Sequence, residues 1–198
     1  MEYFWGPLPP LVGALTLFLT HTTSILPIRL ENALFASTSI ALLYILGSRY
    51  FNRGVGVALA LLCAVNPVFI AADTAGVEEP LGIMLLLWSL YLFDSHWFLS
   101  GVFLALAGMC RAEFWLYGLG VVGLSLIVDR NTYRFTSLLS GWALAMALYV
   151  WHLRRQTGNP IYPLYWNFLG NARRGWIIPR ALTRRWSSTS FGRCWPWL

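Results

Sequence analysis

Three groups of residues in this 198-residue chain carry side chains able to do chemistry. The first is Asp73-Thr74-Ala75-Gly76-Val77-Glu78-Glu79-Pro80, where three carboxylates fall within seven residues. Carboxylates this close can serve as a base, bind a cation or hydrogen-bond a sugar hydroxyl. A plainer reading stands beside it. Pro80 suits the first turn of a helix, and an acid just before such a turn is stabilised by the positive end of the helix dipole. Glu79 ranks ahead of Glu78 and Asp73 as a candidate catalytic acid.

The second group is Arg111-Ala112-Glu113, set between two apolar runs. Arg111 would close one helix and Glu113 open the next, which suits both dipoles. Residues two apart do not face each other on a continuous helix, so pairing them requires a break there. The pair then either fixes a helix junction or positions a substrate. The third group runs from Arg154-Arg155 through Thr157-Gly158-Asn159-Pro160 to Tyr162. Two guanidinium forks at a helix end can clamp a phosphate, or they are simply solvated helix-end charges. The Gly-Asn-Pro turn should end that helix. His21, His96 and His152 lack partner spacing, Asp94 with His96 reads as a solvated connection, and Cys63, Cys110 and Cys194 lack metal-ligand spacing. No metal site and no cofactor are expected.

What must position these groups follows from composition. Apolar residues make up 58 % of the chain and charged residues 11 %, with a mean hydropathy of +0.60. Soluble domains carry roughly 25 % charged residues, so the chain lacks the polar coat of a soluble globule. The same figures exclude a disordered chain and leave no charged face for nucleic acid. The composition implies a multi-pass membrane protein, all-α, built from six or seven apolar helices. Seven apolar stretches cover residues 8–28, 33–48, 55–72, 80–93, 97–110, 113–128 and 135–153. Several are short of the roughly 20 residues that cross a bilayer. The first stretch reads as an interfacial helix or a crossing, with Pro27 breaking it.

Charge is uneven along the chain. Residues 1–149 hold six Arg and eight acids, while residues 150–198 hold eight Arg and no acid. The basic connections at Arg49–Arg53 and Arg130–Arg134 favour a cytoplasmic position, yet alternation then puts the Arg-rich end outside, against the positive-inside rule. Orientation stays open on these grounds.

The order Trp5-Gly-Pro-Leu-Pro-Pro-Leu11, Ile28-Arg-Leu30, Asn66-Pro67, Thr74 to Leu81, Gly108-Met-Cys-Arg111-Ala-Glu113 and Thr157-Gly-Asn-Pro160-Ile-Tyr162 resembles the GT-C superfamily. These are polytopic glycosyltransferases using polyprenyl-phosphate sugars, among them protein mannosyltransferases and lipid A aminoarabinose transferases. The resemblance covers residues 5–166 and implies a transmembrane module over 1–166, followed by an Arg-rich tail over 167–198. It implies an inverting transfer at the outer or lumenal face, a polyprenyl-phosphate-linked sugar as partner in the bilayer, and a second acidic site at Asp73–Glu79. It also implies that this loop, Arg111–Glu113 and the Thr157–Tyr162 turn share one side. Glu79, Glu78 and Asp73 would be the catalytic acids, and Arg111, Glu113, Arg154, Arg155, Asn159 and Tyr162 the substrate contacts. The family's acceptor-side base is an Asp before the Pro-Leu-Pro-Pro segment, where this chain has Glu2, so a fragment lacking an upstream helix, and inactive alone, is expected. A transporter subunit and a non-catalytic membrane scaffold are the rival readings. No internal repeat supports the former.

Overall fold

The computed structural model describes residues 6–75, 79–111, 113–128 and 132–161. Glu78, Tyr162 and the 167–198 tail lie outside the described residues. Every regular element among those described is a helix: α1 Leu8–Thr20, α2 Leu26–Tyr50, α3 Arg53–Ala64, α4 Pro67–Ala75, α5 Glu79–Leu92, α6 Trp97–Gly108, α7 Glu113–Val128 and α8 Thr132–Thr157. One of them, α2, is both long and apolar enough to cross a membrane by length and composition. Its 25 residues extend about 37 Å at 1.5 Å per residue.

Two apolar stretches divide where one helix was expected. Residues 55–72 form α3 and α4, because Asn66 Oδ1 accepts from the amides of Val68 (2.9 Å) and Phe69 (3.4 Å) and Pro67 opens the new helix. That is a cap followed by a residue with no amide hydrogen to leave unsatisfied. Residues 8–28 likewise divide, with α1 ending at His21 in the left-handed region (φ 49°). Pro27 starts a helix there instead of breaking one: it occupies the first turn of α2.

Contacts along the helices set their directions. The α5–α6 hairpin turns at Phe93–His96, and its interior is fixed by Ser89 and Ser100, both fully buried. Their hydroxyls lie 3.1 Å apart, and Ser100 Oγ also donates to the Ser89 carbonyl at 2.8 Å. Trp97 meets Tyr133 near the start of α8, and Gly108 lies near Met146 further along it, so α6 and α8 run parallel. Val122 and Leu104 share a core cluster while Trp115 faces Gly108, so α7 runs back along α6. Leu42 and Leu46 of α2 pack on Leu87, and Phe35 packs on Leu81 and Leu85, so α2 and α5 are parallel. One end of the bundle therefore gathers the starts of α2, α5 and α7 with the ends of α6 and α8.

Asp94 is more than a solvated connection. Its carboxylate pairs with Arg49 at 3.0 Å and accepts from the Tyr50 hydroxyl at 2.8 Å, which ties the end of α2 to the α5–α6 turn. Both charged side chains are 41 % exposed, so solvent screens the pair. Asp94→Ala is expected to lower stability by at most about 1 kcal/mol. A thermal melt in detergent checks this, and raising the salt concentration should shrink the difference from wild type.

Candidate active site

The first two sequence groups meet. Glu79 begins α5 and Glu113 begins α7, each with its carboxylate at a positive helix end. Arg111 lies in the break between α6 and α7, the break that a pairing of residues two apart needs. Its Nε reaches Glu113 Oε2 at 3.2 Å and its Nη2 reaches Glu113 Oε1 at 3.2 Å, a two-pronged contact. Its Nη1 donates to Glu79 Oε1. One planar guanidinium thus spans two carboxylates that are 34 positions apart in the chain, an arrangement its fork geometry suits.

The break is held from three directions. Gly6 N donates to the Cys110 carbonyl at 3.1 Å and Leu8 N to the Met109 carbonyl at 3.3 Å, so the start of α1 lies directly on the junction. A Cβ on Gly6 would overlap the Met109 carbonyl oxygen, which is why the approach takes glycine. From the far side, the Trp115 indole donates to the Gly108 carbonyl at 2.9 Å and its ring meets Tyr149 edge-on at 5.7 Å. Beneath lie Leu81, Leu85, Ala107, Cys110 and Phe114, all buried.

The remaining candidates are placed as follows. Asp73 lies in the last turn of α4. Arg154 and Arg155 occupy the last turn of α8, exposed, at the same end of the bundle as Arg111. Arg155 stacks on Trp151, its guanidinium carbon 4.1 Å from the ring centroid. As the Gly-Asn-Pro turn requires, α8 stops at Thr157. Gly158 takes a φ of 72° and its amide donates back to Arg154, while Asn159 Oδ1 accepts from the Ile161 amide at 3.0 Å. Glu79, Arg111, Glu113 and the end of α8 thus share one end of the helices. Gly6, Trp115 and Tyr149 are supports that the residue-type search did not single out. A tryptophan two positions after an isolated Glu was the available signal for one of them.

Glu79 differs from its partners in one respect. Its Oε1 is taken by Arg111, but its Oε2 is buried and has no hydrogen-bond partner among the described residues. The family described as dolichyl-phosphate-mannose-protein mannosyltransferase matches residues 6–153, about three quarters of the chain. The chain belongs to that family. No curated protein and no solved structure matches it. As a member of the mannosyltransferase family it is a membrane glycosyltransferase of that kind, and the family implies a lipid-linked sugar donor. The matched span runs from Gly6, clipped onto the Arg111 junction, to Leu153, one residue before the arginines that end α8.

Proposed function

We propose that this mannosyltransferase-family chain is a polytopic bundle of the GT-C type. It would transfer a sugar with inversion from a polyprenyl-phosphate donor to an acceptor hydroxyl at the outer or lumenal face. In this reaction the acceptor oxygen bonds to the anomeric carbon, and the bond from that carbon to the phosphate oxygen breaks. The lipid phosphate leaves with the electron pair and the acceptor's proton passes to a carboxylate. Two carboxylates and one guanidinium sum to −1, so the Glu79–Arg111–Glu113 cluster suits a hydroxyl and repels a phosphate. The phosphate needs cations elsewhere at the same end. Of the two arginines expected to hold it, Arg154 is assigned to it together with Asn159 and Tyr162, and Arg155, whose guanidinium lies on the Trp151 ring, is not. Asp73 and Glu78 are assigned to the acidic side with Glu79, and Arg111 and Glu113 position Glu79.

The observation that carries this reading is the buried Oε2 of Glu79, an acceptor with no donor beside a clamped Oε1. An unsatisfied buried acceptor costs about 1–3 kcal/mol, and a hydrogen bond from a substrate hydroxyl would remove that cost. Glu79→Gln keeps the size of the side chain and one oxygen but loses the charge. Made in the complete gene product, it is expected to cut sugar transfer by roughly 10- to 100-fold, the worth of a hydrogen bond to a charged group, while membrane insertion stays normal. Transfer at the wild-type rate by a correctly inserted Glu79→Gln protein would leave the scaffold reading in its place.

A further inference from the structure

The outer side of α8 carries a graded stripe. Leu144, Leu148 and Trp151 are each more than half exposed, and Arg155 follows them with its guanidinium on the Trp151 ring. The intervals of four, three and four residues put all four on one helix face. Met146, beside Gly108 of α6, and Tyr149, against Trp115 of α7, mark the inward face, and Leu153 is buried further along the helix. At 3.6 residues per turn Arg155 lies about 160° around the helix from Leu153. The stripe therefore faces away from the Glu79–Arg111–Glu113 cluster.

The sequence of chemistries along the stripe is that of a bilayer leaflet in cross-section. Leucines come first, then an indole, the ring that favours the headgroup level, then a guanidinium that pairs with phosphate. Arg154 adds a second charge beside it. Among the described residues neither arginine forms an ion pair, and no acidic residue follows Asp129 anywhere in the chain. With no carboxylate in this part of the sequence and no ion pair among the described residues, the two arginines are open to an anion from outside the chain.

We infer that the Leu144–Leu148–Trp151–Arg155 stripe is a docking site for an anionic phospholipid of the surrounding leaflet. The headgroup phosphate would lie on the Arg155 guanidinium and the acyl chains against the two leucines. The site is separate from the acidic cluster and does not depend on which sugar or donor that cluster handles. Stacking on Trp151 holds the guanidinium plane in place, so less rotamer freedom is lost when the phosphate arrives.

The test uses the full chain in detergent with equal phosphatidylglycerol and phosphatidylcholine, counting retained lipids by native mass spectrometry. Wild type should retain phosphatidylglycerol in excess. Arg155→Gln should lower that excess about fivefold, the worth of one basic residue at an anionic surface, and Arg155→Lys should keep most of it. Trp151→Ala should weaken retention with the charge intact. Sugar transfer is measured in parallel on Trp151→Ala, which lies outside the acidic and phosphate assignments, so lost lipid retention with transfer unchanged there supports this site without touching the assignment of Glu79. Equal retention by wild type and Arg155→Gln would overturn the inference. So would displacement of the lipid by inorganic phosphate alone, or preferential retention of a polyprenyl phosphate through Arg155.

Discussion

Arg111→Met is expected to lower stability by about 2–3 kcal/mol and to reduce sugar transfer more than any single change at Glu79. The reason is charge arithmetic at the α6–α7 break. With Arg111 gone, Glu79 and Glu113 confront each other without a cation between them. Removing one partner of a fully buried ion pair costs about 3–5 kcal/mol, because the other charge is left stranded. The cost here falls short of that range, since the three side chains are 26 %, 31 % and 45 % exposed and water shares the load. The two helix N-termini also keep part of the compensation. Arg111→Lys should hold the fold better than the methionine, yet a single ammonium cannot reproduce the fork onto Glu113 together with the arm to Glu79. The strongest form of the test adds Glu79→Gln and Glu113→Gln to Arg111→Met. This triple variant should regain most of the lost thermal stability, as no uncompensated charge remains, while transfer stays low. If Arg111→Met melts and transfers like wild type, the cluster neither holds the junction nor serves the reaction.

The residues of that cluster were legible in the sequence, and the family resemblance implied a shared side; their direct contact was not legible. Helix-end positions for Glu79 and Glu113 follow from Pro80 and from the isolated polar step at residues 111–113. What brings residue 79 to residue 111 is the closure of a hairpin whose arms, Glu79–Leu92 and Trp97–Gly108, are nearly equal in length at 14 and 12 residues. Equal arms around a tight turn return the chain to its starting level, which identifies the end but not the rotation of each helix about its axis. That rotation is set by close contacts such as Ser89 with Ser100 and Gly82 with Phe114, and small residues inside uniformly apolar helices carry no periodic signal. The division of residues 55–72 was readable in principle, because Asn66-Pro67 is a cap and a first-turn residue, yet a hydropathy-based boundary passes straight over it. Asp94 shows the opposite limit. Its partners, Arg49 and Tyr50, are more than 40 positions away, and only the parallel packing of α2 with α5 brings them within reach.

Small residues of that kind also set the second large effect, at the crossing of α6 and α8. A Cβ on Gly101 would overlap the Leu138 carbonyl oxygen and approach the Trp142 amide at 2.8 Å. A Cβ on Gly141 would overlap the Phe98 carbonyl oxygen in the same way. The two backbones touch at both points, with Leu104 and Leu138 fully buried alongside. On the polytopic reading proposed above, association of these helices rests on such close packing, since lipid tails are as apolar as leucine and burial adds little. Gly101→Leu must therefore force the helices apart, and overpacking of this sort costs about 1–3 kcal/mol, occasionally more. The upper end is expected here because the obstruction is backbone, which cannot rotate away. The displacement is carried on through α8, where Trp142 packs by Gly118 and Tyr149 by Trp115, to the Arg111 break and to Arg154. Transfer should accordingly fall with stability. Gly123→Leu on α7 supplies the comparison, because a Cβ there meets nothing within 4 Å, and its melt should stay within about 0.5 kcal/mol of wild type. Matching melts for the Gly101 and Gly123 variants would mean that the α6–α8 crossing is not what sets the position of the functional end.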